Sequence, residues 1–139
     1  MQTVHENIPA EALKLKNDFR EKIEILTRRI CLLTGTDRIL MTMYLVNGNT
    51  FYQMAKLSGI SQSAIARRIH KVTNKLIDGE YIICLRNRDR FDENELRIAR
   101  DYFLIGKSIR QIAAKYKITY YKTHKITKKL REFVRSTQS

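Results

Sequence analysis

An internal repeat limits the folds that this chain can adopt. Each copy contains a short segment, a turn and a longer segment rich in Lys or Arg. Shifting the sequence by 58 residues places TFYQMAKLSGIS over SIRQIAAKYKIT. Hydroxyl residues that can cap helix starts coincide, as do apolar residues that can fill a core and alanines that let two helices cross closely. The equivalent pairs are Thr50/Ser108, Gln53/Gln111, Met54/Ile112, Ala55/Ala113, Ile60/Ile118 and Ser61/Thr119. Such a repeat predicts one supersecondary unit formed twice.

Hydrophobic spacing before the repeat predicts a long amphipathic helix. Apolar residues recur three and four apart between Glu11 and Leu33, and Gly35 is placed to end that helix. Residues 1–10 are expected to form a frayed tail. The helix either packs over the rest of the chain or self-associates, although its apolar stripe is short for an independent coiled coil.

Residues that favour helix starts locate the remaining helices along the chain. Together these helices predict an all-α fold. We expect Asp37 to cap a short apolar helix, and Asp92 with Glu95 to form a capping box at the start of another helix, which Gly106 ends. The run EYIICLR is β-prone and is expected to be extended or a small wing. The predicted organisation is an N-terminal tail and long helix (1–35), a first trihelical unit (36–79), a linker (80–91) and a second trihelical unit (92–139).

Positive charge is segregated along the chain. Lys and Arg total 27 against 14 Asp and Glu, a net charge of +13. Residues 107–131 contain nine Lys or Arg and no acid, and residues 50–77 contain five and no acid. Excess positive charge favours phosphate-rich partners. A basic surface that serves only solubility is the alternative, whereas anionic membrane binding is disfavoured because the basic stretches lack a broad apolar face with Trp or Phe.

Several other classes of protein lack the residues they need. No run of about 18 apolar residues and no apolar N-terminal signal core occurs, so we expect a cytoplasmic protein without a membrane partner. Cys31 and Cys84 lie in apolar stretches typical of core residues, and the three histidines lie far apart, so no metal and no cofactor are expected. Neither a Gly-rich phosphate loop, nor a plausible carboxylate pair, nor a Cys–His arrangement is present, which argues against an enzyme.

A positioning helix, a turn and a second helix free on one side make up the helix-turn-helix arrangement. The segment DRILMTMYLVNGNTFYQMAKLSGISQSAIARRIHKVTNKL, 40 residues of the 139, resembles region four of bacterial RNA polymerase sigma factors. The likeness rests on Tyr44-Leu45-Val46 with Gly48, on Tyr52 to Ala55, on Gly59-Ile60-Ser61 and on Ile65 with Ile69. It implies a DNA-binding protein of bacterial or phage type, associated with the nucleoid. The sigma segment that grips the polymerase and melts the promoter has no counterpart, so a complete sigma factor is not implied.

The second half of the repeat is similar to a looser helix-turn-helix. LRIARDYFLIGKSIRQIAAKYKITYYKTHKITKKL carries the same capped helices. It departs at Lys117, where Gly is usual and a positive φ is expected, with a modest strain cost. It departs again at Thr123, which is less apolar than Ile65 at the matching inward position.

In the first unit, four apolar residues of the second helix are expected to face inward: Ile65, Ile69, Val72 and Leu76. The start of such a helix reaches base edges in the major groove, where Gln pairs with adenine and Arg with guanine. The expected base-reading residues, which the resemblance implies as well, are Gln62, Ser63, Ala64 and Arg67. The residues expected at phosphates are Thr50, Arg68 and Lys71.

In the second unit, Ile126 and Leu130 are expected to face inward, with Thr123 partly so. The expected base-reading residues are Tyr120, Tyr121, Lys122 and Lys125. Lysines, an arginine and a helix-capping serine are expected at phosphates: Lys107, Ser108, Arg110, Lys128 and Lys129. Adjacent residues lie about 100° apart on a helix. We therefore expect one tyrosine of the pair to read DNA and the other to pack on the domain.

The sequence predicts a sequence-specific double-stranded DNA-binding transcriptional regulator with two recognition helices. Each can occupy one stretch of major groove, the two stretches lying about one helical turn apart. Three alternatives stay open: a sigma-like accessory factor with RNA polymerase as its partner, the DNA-recognition subunit of a recombination or packaging complex, and an RNA-binding protein. The last lacks the exposed aromatic sheet of single-strand platforms. A homodimer through the N-terminal helix gives a longer, symmetric DNA site.

Overall fold

The computed structural model of the chain describes the backbone of residues 10–138 and the side chains of residues 20–138. Within these residues all regular structure is helical, which confirms the all-α prediction. The helices are α1 Ala10–Arg29, α2 Gly35–Leu45, α3 Phe51–Ser58, α4 Gln62–Asp78, α5 Glu80–Arg86, α6 Glu93–Ala99, α7 Ile109–Tyr116 and α8 Tyr120–Thr137. Short 3-10 turns at Ile30–Leu32 and Arg88–Arg90 and a π-helical segment at Arg100–Ile105 connect them. The tail expected over residues 1–10 lies outside the described residues, apart from Ala10.

Side-chain caps start the helices of the repeat where the sequence predicts them. Thr50, Asp92 and Ser108 each form a capping box with the residue three positions later. Ser61 and Thr119 each accept a hydrogen bond from a backbone N–H in the first turn of α4 and α8. These bonds satisfy N–H groups that have no partner within the helix, so each helix begins at a fixed residue.

The boundary between α1 and α2 differs from the prediction. The α-helix ends at Arg29 and is followed by a 3-10 turn to Leu32. Gly35 has a positive φ of 59° but is the first residue of α2 rather than the end of α1. Thr34 occupies the N-cap position without a side-chain bond, so the prediction that Asp37 caps this helix is wrong. Because Asp37 lies in the first turn, its carboxylate is free to pair with another helix.

The stretch EYIICLR is the helix α5, so the prediction of a β-prone segment is wrong. Tyr81, Ile82 and Cys84 are buried, and the helix contacts α4, α6, α8 and the π-helical segment. Burial against these helices outweighs the β-propensity of the sequence, which is a weak preference. Gly79 permits the sharp passage from α4 to α5, because a Cβ there would lie 2.3 Å from the carbonyl oxygen of Lys75.

Burial extends the repeat beyond the stretches that are similar in sequence. We compare residues 35–78, the first copy, with residues 93–136, the second copy. Each of the seven buried apolar residues of the first copy has a buried residue 58 positions later. The pairs are Leu40/Ile98, Met41/Ala99, Met54/Ile112, Ile65/Thr123, Ile69/Thr127, Val72/Leu130 and Leu76/Val134. In each copy the first helix packs on the last, and the second helix packs on the last as well.

The same offset corrects the inward face predicted for α8. Thr127 is fully buried, whereas Ile126, which was expected to face inward, is only half-buried. Thr123 is also fully buried rather than partly so. Both threonines satisfy their hydroxyls inside the helix, since Thr123 donates to the carbonyl oxygen of Thr119 at 2.9 Å and Thr127 to that of His124 at 3.0 Å. A threonine can therefore replace isoleucine in this core without leaving a polar group unpaired.

One hydrophobic core joins the two copies, and α5 lies between them. Its buried residues pack in a cluster that also contains Leu76 of α4 and Ile98 of α6. A separate polar bond joins the second copy to the turn that follows α1, since Arg100 Nε donates to the carbonyl oxygen of Leu32 at 2.9 Å. The start of α4 and the start of α8 are thus carried on a shared, packed scaffold.

The reactivity of the two cysteine thiols provides a test of this core. Cys31 is exposed, so the expectation that it is a core residue is wrong, whereas Cys84 is fully buried as expected. Burial raises the pKa of the Cys84 thiol from 9.0 to about 11. That rise alone lowers the thiolate fraction near pH 8 about 100-fold. Iodoacetamide is therefore expected to label Cys31 rapidly and Cys84 only after unfolding, as measured by mass spectrometry. Equal labelling of both thiols in the native protein would contradict the packing of α5, and both should react in guanidinium.

Candidate nucleic-acid interface

The outward face of α4 carries hydrogen-bonding side chains at the positions farthest from the core. Ser63, Arg67 and His70 lie roughly 140–200° around the helix from the buried residue Ile65. All three are exposed, as is Gln62 in the first turn. Ala64 is half-buried and presents a methyl group beside them. Four of these are the residues predicted to read bases in the first unit, and α4 presents them together on its first two turns.

The outward face of α8 is built from lysines and tyrosines. Tyr121, Lys125 and Lys128 occupy the positions equivalent to Ser63, Arg67 and His70, and all are exposed. Lys122 is exposed as well. The four residues predicted to read bases here are therefore also presented together.

The expectation that one tyrosine of the pair packs on the domain is wrong. Tyr120 is 53% exposed and Tyr121 is 75% exposed. Tyr120 stacks on His124, with ring centroids 6.3 Å apart. The core line of α8 runs through Thr123 and Thr127, so Tyr121 points almost directly away from it, and Tyr120 lies in the first turn, where it stays exposed.

The helices α3 and α7, which pack on α4 and α8, begin with capping hydroxyls. Thr50 Oγ1 accepts a hydrogen bond from Gln53 N at 3.1 Å, and Ser108 Oγ accepts one from Gln111 N at 3.2 Å. A hydroxyl that accepts one bond can still donate its own hydrogen to a phosphate oxygen. Arg110 is exposed beside Ser108, and Lys107 is half-buried.

Two cations predicted to contact phosphates are each paired with a carboxylate. The two carboxylates, and not the two cations, occupy equivalent positions of the repeat. Arg68 donates to Asp37 from Nε at 2.6 Å and from Nη2 at 2.8 Å. Lys129 Nζ donates to Glu95 Oε2 at 2.7 Å. The two carboxylates are 58 residues apart and are 15% and 12% exposed, whereas the cations are about half exposed. Each pair ties the last helix of its copy to the first.

These pairs define which cations are free to meet a polyanion. Hydrogen bonding to Asp37 raises the pKa of Arg68, and the same two bonds occupy its guanidinium. Lys71, Lys125 and Lys128 are exposed on the same helices. The phosphate role of Arg68 and Lys129 stays a prediction, and it requires a phosphate to share or replace the carboxylate.

A buried carboxylate positions α7 in the second copy. Asp101, in the π-helical segment, accepts hydrogen bonds from Lys115 Nζ at 3.0 Å and from the Tyr116 hydroxyl. Hydrogen bonding to Asp101 raises the pKa of Lys115, and burial first, then this bond, raises the pKa of Tyr116. The equivalent residue in the first copy is Met43, so α3 has no matching polar clamp from that position.

Helix α1 leaves the start of α4 accessible. It packs on α2 and α4, and its Arg29 donates to the carbonyl oxygen of Leu76 near the end of α4. The exposed residues Gln62 and Arg67 lie at the opposite end of that helix. The bond from Arg29 to α4 is therefore separate from the candidate face.

One outward residue was missed by the sequence reasoning. His70 is exposed on the same line as Arg67 and is 58 residues before Lys128, which was assigned to phosphate. Applying the repeat offset to the outward positions, and not only to the helix caps, would have identified it.

Similarity to known proteins gives no further information on this site. No protein-family model, no curated protein and no solved structure matches the chain. Within the described residues, no helix is both long and apolar enough to cross a membrane. Among the described side chains, no three His, Cys, Asp or Glu residues come together as metal ligands do.

Proposed function

We propose that this chain binds double-stranded DNA sequence-specifically through the starts of α4 and α8 and regulates transcription. The observation that carries the proposal is the double occurrence of one arrangement. In each copy a capped helix, a turn and a second capped helix present an exposed outward face, within acid-free stretches at residues 50–77 and 107–131. A helix whose first turns are exposed and polar fits the major groove, and the surrounding cations suit phosphate.

The proposal assigns a binding role and no catalysis. We place the protein in the cytoplasm, with the DNA that it would contact. RNA polymerase is a further partner to be tested by co-purification, and preferential binding to element ends would favour a recombination or packaging role.

The test begins with selection of bound duplexes from a random pool, followed by footprinting of the selected sequence at several salt concentrations. One enriched motif and a protected footprint are expected. Failure to enrich any motif would contradict the proposal, since sequence-independent attraction of a basic protein to DNA produces none.

Substitutions at two exposed residues distinguish base reading from phosphate contact. Replacing Arg67 with alanine is expected to relax the preference at one base pair by about 1–3 kcal/mol. Replacing Lys128 with glutamine is expected to weaken binding to all sequences alike and to reduce the slope of log K against log salt by about 1. Binding titrations against the selected site and its single-base variants measure both effects. Identical behaviour of the two variants would show that these roles are assigned wrongly.

A further inference from the structure

The two copies share a backbone arrangement but differ in the chemistry of their outward faces. The first copy has six Lys or Arg and two Asp or Glu, a net charge of +4. The second copy, of the same length, has twelve and four, a net charge of +8. The seven buried apolar positions of the first copy are buried in the second copy as well, and Asp101 is the only charged residue of either copy that is buried. Apart from Asp101 and its partner Lys115, the difference in charge therefore lies outside the shared core.

The second copy gains a cation at ten positions of the repeat and loses one at four, and part of the gain lies where a nucleic acid would contact the chain. Four of the gains lie at or just before the start of α7 and on the exposed side of α8: Asn49/Lys107, Tyr52/Arg110, Ala64/Lys122 and His70/Lys128. The reverse exchange occurs at Arg38/Leu96, Lys56/Ala114, Arg68/Ile126 and Lys75/Phe133. Arg68 is engaged with Asp37, so its loss in the second copy removes little free positive charge.

The residues with fixed hydrogen-bonding geometry lie in the first copy. Gln62 carries a donor and an acceptor that match adenine, and the planar guanidinium of Arg67 matches guanine with two parallel bonds. Their equivalents in the second copy are Tyr120 and Lys125. A lysine ammonium is a compact charge on a flexible stem with no acceptor, which suits any phosphate oxygen but fixes no base.

We propose that the two copies divide the work: α4 selects the base sequence, and α8 with the start of α7 anchors the protein to the phosphate backbone whatever the sequence. This inference rests on the proposed function and revises the assignment of base reading to Tyr120, Tyr121, Lys122 and Lys125. It makes Gln62 and Arg67 specificity-determining residues. The protected footprint is then longer than the preferred motif, because the part covered by α8 carries no base preference.

A reciprocal exchange at equivalent positions tests this division in the full chain without changing its net charge. Arg67→Lys is expected to lower the preference at one base pair about 5- to 150-fold while leaving the salt slope unchanged. Lys125→Arg is expected to leave the motif unchanged and to alter affinity less than about 3-fold. Both residues are exposed, so thermal unfolding should match wild type in both variants.

Each outcome has one consequence. If wild type enriches no motif, the proposed function fails before the exchange is made. If wild type enriches a motif and Lys125→Arg or Lys125→Gln changes which bases are preferred, α8 reads sequence and the division is wrong. A motif unaffected by Arg67→Lys would also overturn it. Loss of preference in Arg67→Lys together with an unchanged motif in Lys125→Arg supports it.

Discussion

The free energy of unfolding of an Ile65→Ala variant is expected to fall about 2–5 kcal/mol below that of wild type. Ile65 is 0% exposed and lies on the inward line of α4, in the same buried cluster as Met54 of α3. Truncation removes buried methyl groups and leaves a cavity where α3 and α4 pack together. Because this packing sets the position of α4 relative to its turn, DNA affinity should fall as well.

Urea denaturation followed by circular dichroism measures the loss, with Leu57→Ala as the matched control. Leu57 is on α3 in the same copy but is 72% exposed. Its truncation is expected to change the free energy of unfolding by less than about 0.5 kcal/mol. A loss of under about 1 kcal/mol in Ile65→Ala would mean that the start of α4 is not packed as described.

Local signals predicted the helices of the repeat because the physics there is local. Thr50, Ser61, Ser108 and Thr119 start helices through bonds that span three residues, and a sequence displays that spacing directly. Lys117 adopts a φ of 55°, as the alignment with Gly59 predicted. Neither feature depends on contacts distant in sequence.

Tertiary contacts decided the elements that were predicted wrongly. The sequence of α5 favours a strand, and only its burial between α4, α6 and α8 makes it a helix. Asp37 has the residue type of a cap, but the turn before α2 places it inside the helix, where its partner is Arg68, 31 residues away. Residue type alone carries no information about such a partner.

The position of the candidate site was predictable from the sequence, whereas the pairings of its side chains were not. The exposure of Arg67 and Lys125 follows from the period of an α-helix once the inward residues are known. Gln62 lies on the inward side of α4 by the same period, and it is exposed because it is the first residue of that helix. The pairing of Lys129 with Glu95 could not be inferred, because it depends on the packing of α8 against α6. The burial of Thr127 was not predicted, because a hydrophobicity pattern ranks isoleucine above threonine.

Replacing Lys122, Lys125 and Lys128 together with glutamine is expected to lower DNA affinity several hundred-fold in about 0.1 M salt. Each phosphate contact contributes roughly 0.9 to the slope of log K against log salt, so three contacts contribute about 2.7. At about 1 M salt, screening removes most of the contribution of these contacts to the binding constant. A slope of about 2.7 over the tenfold change from about 1 M to about 0.1 M salt then corresponds to a factor of about 500 in the binding constant. All three lysines are exposed on α8, and none lies on its buried line.

The same change in net charge placed elsewhere provides the control for this triple variant. Arg20, Lys22 and Arg88 are exposed and lie outside both candidate faces. Their replacement by glutamine is expected to lower affinity less than about 5-fold, since they lie on α1 and in the turn after α5, outside the helices proposed to contact DNA, and salt screens charges that make no direct contact. Titrations of one duplex at four or more salt concentrations give the slope and the affinity of each variant. Equal losses in both triple variants would mean that net charge alone attracts DNA and that α8 has no defined contact with the backbone.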